Sequence, residues 1–332
     1  MVIAVDAVGG DHYPSSPVEG AVLAVEENPE LEVILLGPEQ LVLEELGKHT
    51  YDKNRIHVHH APQVIGMEES PTKAFKTKQQ SSVTLGLQLH QKGECDAFVS
   101  NGNTGALLTI STFILGKLEG VIRPTVATLF PTIYGFRLLV DAGANLEVKP
   151  EAMEQFALMA SMYSQSVMNI EEPKIGLLNV GHEKEKGTED LRETYKMLEK
   201  YDHFIGNLEG RDLLSGKADV FLCDGVVGNI LLKFGESIPE NLQKIIGGSL
   251  KSQQIEHDQI KSISHILKQA LAEFNYETVG GLPFLGVNGI SLVGHGGSTP
   301  LATKNMIFNA SRCVNAELNK KITSTLEAAQ IS

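Results

Sequence analysis

Apolar residues recur along this chain in short unbroken runs. Val33-Ile34-Leu35-Leu36, Leu138-Leu139-Val140, Ile175-Gly176-Leu177-Leu178 and Val220-Phe221-Leu222 have the length and composition of strands covered on both faces. Between such runs the period lengthens. After Pro150, residues Phe156, Met159, Ala160 and Tyr163 fall at helical spacing, with Glu151 and Glu154 in the first turn, where the helix dipole favours negative charge. Strands alternating with helices predict a doubly wound, mostly parallel α/β sheet.

A helical excursion interrupts that alternation near residues 237–276. It has few strand signals, and Ile260, Ile263, Leu267, Ala270 and Phe274 step by three and four residues along a narrow apolar seam. The seam predicts a helix packed on a neighbour or a second subunit, with contact to a membrane surface or carrier protein as the alternative. Gly280-Gly281-Leu282-Pro283-Phe284-Leu285-Gly286 reads as a flexible apolar return loop. With no linker or internal repeat in view, a single α/β domain over 1–332, including the 237–285 excursion and return, is expected.

Six strand-like runs end in short loops rich in glycine, asparagine, aspartate or histidine. They are Asp6 to His12, Ser100 to Gly105, Asp141 to Asn145, Asn179 to His182, Asp224 to Asn229, and Gly294 to Ser298. In an open parallel sheet the loops after the strands share one edge, and helix N-termini there present N–H groups to anions. An anionic ligand held by many loops is the first inference. Gly9 and Gly10, flanked by Asp6, Asp11 and His12, allow close backbone approach, or simply close a turn. Ser100, Asn101, Gly102, Asn103, Thr104 and Gly105 stand before a helical segment and suit an oxyanion, or a helix cap satisfying its own backbone. Asn145, Asp224, Gly225 and Gly296 complete the candidate phosphate-binding set.

Composition narrows the partners. The 41 acidic and 28 basic residues give a formal charge of −13, against a nucleic-acid binder. Three cysteines without a C-x-x-C spacing predict neither disulfide framework nor structural zinc, and a reducing cytosol fits best. No metal is expected: His57, His59 and His60 lack a nearby carboxylate or cysteine pattern. The N-terminus reads as a strand, and no apolar stretch approaches the roughly 20 residues of a membrane span. Neither a Walker A loop nor G-x-G-x-x-G occurs, so nucleotide fingerprints are missing; no G-x-S-x-G accompanies the His295 loop. Lys73, Lys76 and Lys78 form the clearest basic cluster, and Lys184 and Lys186 follow a buried strand.

Taken in order, Asp6 to His12, Ser81-Ser82, Ser100 to Leu107, Arg123-Pro124, Asp141 to Asn145, Gly176 to Asn179, Lys186-Gly187, Gly206 to Asp212, Asp224-Gly225, Gly228-Asn229, Leu232-Lys233 and Gly294 to Gly296 closely resemble the bacterial phosphate acyltransferase family. These are the PlsX-type acyl-acyl-carrier-protein:phosphate acyltransferases. The resemblance implies a three-layer, isopropylmalate-dehydrogenase-like α/β/α fold, a cytoplasmic homodimer and no cofactor. It implies conversion of fatty acyl-carrier protein and inorganic phosphate into acyl phosphate, which passes to a membrane glycerol-phosphate acyltransferase in phospholipid synthesis. On this reading Lys184, Lys186 and Asn229 stabilise developing negative charge, His295 shuttles a proton, and Lys73, Lys76 and Lys78 dock the carrier protein. A phosphotransacetylase-like enzyme using acyl-coenzyme A, an atypical dehydrogenase, and a non-enzymatic scaffold are the competing readings.

Overall fold

The structure, a computed structural model, describes residues 1–252, 257–272 and 280–331. Its strands are β1 (Val2–Asp6), β2 (Glu32–Gly37), β3 (Ile56–His60), β4 (Ala97–Ser100), β5 (Thr125–Thr132), β6 (Gly135–Val140), β7 (Ile175–Leu178), β8 (Phe204–Leu208), β9 (Val220–Leu222), β10 (Leu282–Leu285) and β11 (Ser291–Val293). Its helices are α1 (Ser15–Glu27), α2 (Glu39–Leu46), α3 (Pro71–Thr77), α4 (Ser82–Gln91), α5 (Thr104–Ile114), α6 (Pro150–Ser166), α7 (Glu189–Leu198), α8 (Gly225–Ser252), α9 (His257–Ala272), α10 (Pro300–Asn315) and α11 (Leu318–Ile331).

The strands form one sheet in the order β3-β2-β1-β4-β11-β10-β5-β6-β9-β7-β8. The first five run parallel to one another, as do the last four. Between the sets lie three antiparallel pairings, β11 with β10, β10 with β5 and β5 with β6, and an odd number of reversals turns one parallel set against the other. The loops after β1, β4 and β11 therefore leave one edge of the sheet, and those after β6, β7 and β9 leave the opposite edge. The single shared edge expected from the sequence does not exist.

The return loop is also corrected. Gly280 and Gly281 lead into β10, a fully buried strand at the centre of the sheet. A Cβ on Gly280 would lie 2.1 Å from the backbone nitrogen of Met306, so the chain enters at a separation only glycine permits. The seam residues Ile260, Ile263 and Leu267 lie on α9, where Ile263 stays 38% exposed; Phe274 lies outside the described residues.

Side chains alternate between the faces of each strand. On one face Ile3, Val5, Val99, Ala127, Val140 and Leu222 share a continuous core with α1, α6, α10 and α11. The other face has two separate cores. Phe98 and Val126 pack with α4 and α5, whereas Phe130, Leu139 and Phe221 pack with Leu231 of α8. The uncovered middle of that face is a cleft.

Candidate active site

The cleft has a volume of about 670 Å³, within the roughly 300–1,000 Å³ typical of small-molecule sites. Its floor is β5, with Val126, Thr128 and Phe130 on the facing side. One wall is α5 with Leu108 and Thr109, and the other is α8 with Asn229, Leu232, Lys233, Gly235 and Glu236. Asp11, Gly102, Thr104, Gly105, His295, Gly296 and Ser298 come from the first set of loops, and Ala142, Gly143 and Ala144 from the second. The opposed loop sets thus meet across the cleft through α5, β5 and α8.

In the first set, the polar side chains mostly turn inward. Ser100 Oγ donates to Asp6 Oδ2 at 2.6 Å and accepts from the Gly102 N–H at 3.0 Å. Asn101 is buried and donates to Thr303 Oγ1 at 2.9 Å. Asn103 caps α5, accepting from the Ala106 N–H at 3.0 Å, while its Nδ2 donates to the carbonyls of Met67 and Glu69 at 2.8 and 2.9 Å. What remains at the surface is Gly102, Thr104 and Gly105 at the α5 N-terminus, a position suited to an anion. Asp6 is buried behind this loop, and burial pushes its carboxyl above the ordinary range against the hydrogen bonds it accepts.

Gly9 and Gly10 shape this arrangement. A Cβ on Gly9 would lie 2.4 Å from Asp6 Oδ2, and one on Gly10 (φ +90°) would lie 2.7 Å from the Gly296 carbonyl. The Asp11 N–H donates to that same carbonyl at 2.8 Å, tying the β1 and β11 loops together. His12 is exposed and its carbonyl accepts from the Ser16 N–H; the residue does not line the cleft.

The second set is organised by Asp141. Its carboxylate accepts from the N–H groups of Gly143, Ala144 and Asn145 at 3.1, 2.9 and 2.7 Å and from Asn145 Nδ2 at 2.8 Å. Asn145 is therefore internal to the loop. Burial raises the Asp141 carboxyl, opposed by these bonds. Asp224 Oδ1 accepts from the Val227 N–H at 2.9 Å at the start of α8, and Gly225 donates to the Asn145 carbonyl at 2.8 Å. Asn229 then sits against Gly143, whose absent Cβ (φ +130°) would be 3.4 Å from that of Asn229.

The remaining predicted cations stand apart. Lys184 is ion-paired with Glu199 and lies 5.5 Å over the Tyr195 ring; the Glu199 carboxylate raises its pKa. Lys186 is exposed, and neither lysine lines the cleft. Lys78 is bound to Glu69 and the Val64 carbonyl, so it is not part of an open basic face. Lys73 and Lys76 are exposed on α3 on either side of Phe75, which stacks on Phe113 at 4.7 Å, and Pro71 of the same helix lines the cleft. His295 reaches the cleft: its Nδ1 accepts from the Gly297 N–H at 3.1 Å and its Nε2 lies 3.8 Å from Glu236 Oε1. Lys233 and Glu236 were not among the sequence candidates for the site; Lys233 entered only through the Leu232-Lys233 match to the family, and its i, i+4 spacing from Asn229 was a further signal.

Among the described residues no cluster of metal-ligating side chains occurs, and no helix is long and apolar enough to cross a membrane.

The architecture is that of the phosphotransacetylases. It superposes on the enzyme from Streptococcus pyogenes with a TM-score of 0.63 over 95% of this chain and 94% of that one, at 15% identity. A branched-chain phosphotransacylase from Enterococcus faecalis gives 0.58 over 95% and 99%, at 14% identity. The sequence sets the family: the model of the family described as "Fatty acid synthesis protein" matches residues 1–321. The phosphate acyltransferase of Chlorobaculum parvum is 44% identical over 98% of this chain and 99% of its own, and that of Acetivibrio thermocellus 41% over 97% and 95%. The chain belongs to this family of phosphate acyltransferases.

Proposed function

We propose that this chain transfers an acyl group from a thioester to inorganic phosphate, giving acyl phosphate for phospholipid synthesis, and that acyl-carrier protein is the donor. The observation that carries the reading is the cleft itself, which sets an anion-suited loop at the α5 N-terminus against Asn229 and Gly143 across an apolar floor. Such a site can orient phosphate against a carbonyl and stabilise the oxyanion that forms. A phosphate oxygen attacks the thioester carbon, the carbonyl electrons move to oxygen, and their return expels the thiolate. The C–O bond is made as the C–S bond breaks, and the phosphate proton passes to the departing sulfur. No enzyme nucleophile is needed, in keeping with Cys223, whose thiol burial pushes well up.

The residues take parts in this reading. Gly102 to Gly105 and Gly296 cradle phosphate, Asn229 faces the oxyanion, and His295 relays the proton. Lys184 and Lys186 serve the site only if their loop moves toward the cleft. The apolar arm between Thr128 to Pro131 on one side and Leu232 and Gly235 on the other receives the acyl chain. Lys73 and Lys76, with the Phe75–Phe113 pair between them and the rim, supply a docking face for an acidic carrier protein. A homodimer, peripheral membrane contact through α9, cytoplasmic location and delivery of product to a membrane glycerol-phosphate acyltransferase complete the proposal. The test is incubation with long-chain acyl-carrier protein, with and without phosphate, and mass detection of acyl phosphate. Product from acyl-coenzyme A alone would replace the donor, and phosphate-independent behaviour would reject the reaction.

A further inference from the structure

Lys233 is the only lysine or arginine among the described residues that line the cleft. It stands one helical turn beyond Asn229, and residues four apart share a helix face with Cβ atoms about 5–6 Å apart. Both therefore look into the cleft from α8. The Lys233 Nζ is 2.8 Å from Glu236 Oε2, and the other oxygen of that carboxylate, Oε1, is 3.8 Å from His295 Nε2. One carboxylate thus bridges a lysine on α8 and an imidazole on the opposite β11 loop.

We propose that Lys233 supplies the positive charge of the phosphate site, with His295 beside it, and that Glu236 is the internal anion that phosphate displaces. The assignment rests on the acyl-transfer reading for the identity of the anion. Its physical basis is a charge problem. Asp11 and Glu236 also line the cleft, so an entering anion meets two carboxylates, and backbone N–H groups alone supply no full positive charge to set against them. A lysine ammonium binds phosphate as a point charge and swings on a flexible stem. It can exchange a carboxylate oxygen for a phosphate oxygen without movement of α8. Until that exchange occurs, Glu236 pairs with Lys233 and stands beside His295.

Three measurements test this on the full chain: the KM for phosphate, the KM for the acyl donor, and the rise in melting temperature on adding inorganic phosphate alone. Lys233→Gln is expected to raise the phosphate KM about tenfold or more, as for loss of a charge-assisted hydrogen bond. The donor KM should stay within about twofold, and the phosphate-induced melting shift should disappear. Lys233→Arg, which keeps the charge, should stay within a few-fold of wild type, about threefold at most by the same charge argument. A folded Lys233→Gln variant with unchanged phosphate KM and unchanged melting shift overturns the inference and leaves the acyl-transfer reading intact. An equal rise in both KM values also overturns it, because a general disturbance of the cleft would explain it. If the wild type forms no acyl phosphate but its phosphate-induced melting shift still depends on Lys233, the reaction is wrong and the anion site stands.

Discussion

A Cβ on Gly228 would lie 1.8 Å from the carbonyl oxygen of Asp141. No side chain fits there, so the first turn of α8 rests directly on the backbone of the β6 loop, and Asn229 is placed beside Gly143 by that contact. Gly228→Ala must push α8 off the loop. Overpacking of this kind costs about 1–3 kcal/mol, and the displacement moves Asn229 and Lys233 together. A lowered melting temperature with most turnover lost is expected. Wild-type values for both would mean that α8 is seated by other contacts.

Asn229→Ala keeps the backbone packing and removes only the amide. Losing one donor to a developing oxyanion typically costs about 3 kcal/mol, on the order of a hundredfold in rate. The loss should appear in kcat at unchanged melting temperature. Lys184→Ala, which removes a group paired with Glu199 outside the cleft, is expected to cost less than Asn229→Ala. The reverse ranking would place the Lys184 loop in the reacting complex.

Gly235 faces Phe130 so closely that a Cβ would sit 2.9 Å from the ring. Phe130 is packed in the cluster with Leu139 and Phe221, and Phe130 and Gly235 both line the cleft. Gly235→Leu should shorten the preferred acyl chain, lowering kcat/KM for long donors more than for short ones. Leu108→Phe, from the opposite wall, should shift the preference in the same direction. Equal effects on all chain lengths in both variants would place the acyl chain elsewhere.

Lys73→Glu with Lys76→Glu should weaken carrier-protein binding, chiefly through slower association. Raising salt should do the same to the wild type, because exposed charges are screened beyond about 8–10 Å. Turnover with a small acyl-thioester donor should be little changed. Unaltered carrier affinity in the double variant moves the docking face away from α3.

Burial raises the Asp6 carboxyl above its ordinary value of 3.8, so between those two values the folded chain binds a proton that the unfolded chain has released. The slope of unfolding free energy with pH is then negative. This group favours folding at low pH, and its contribution is lost as pH rises from the ordinary value through the raised one. Asp6→Asn removes the titration. Denaturant unfolding from pH 4 upward should show the wild type losing stability relative to the variant across that window and a constant difference above it. A difference that grows in the wild type's favour would mean that the bonds from Ser100, Ser82 and the Val8 N–H outweigh burial.

Much of this protein was legible in its sequence because much of it is local. Runs such as Leu138-Leu139-Val140 fixed strands covered on both faces, and the loop residues Gly102, Gly143, Asn229 and His295 were visible as candidates from their place after those strands. The sense of the strands was not. A parallel and an antiparallel neighbour make the same demands on a buried apolar run, so nothing in Leu282 to Leu285 declared that β10 reverses the sheet. The odd number of reversals, two at β10 and one between β5 and β6, sent the loops to opposite edges and left the cleft between two cores. Pairing was equally hidden. Lys78 and Lys184 carry the same charge in the sequence as Lys233, but only packing brought Glu69 and Glu199 to the first two and turned the third, with Asn229, into the cleft. Sequence patterns record which residues are buried and how each segment bends, because those depend on neighbours in the chain. Tertiary structure decided which charges face the cleft, because that depends on contacts between residues far apart along it.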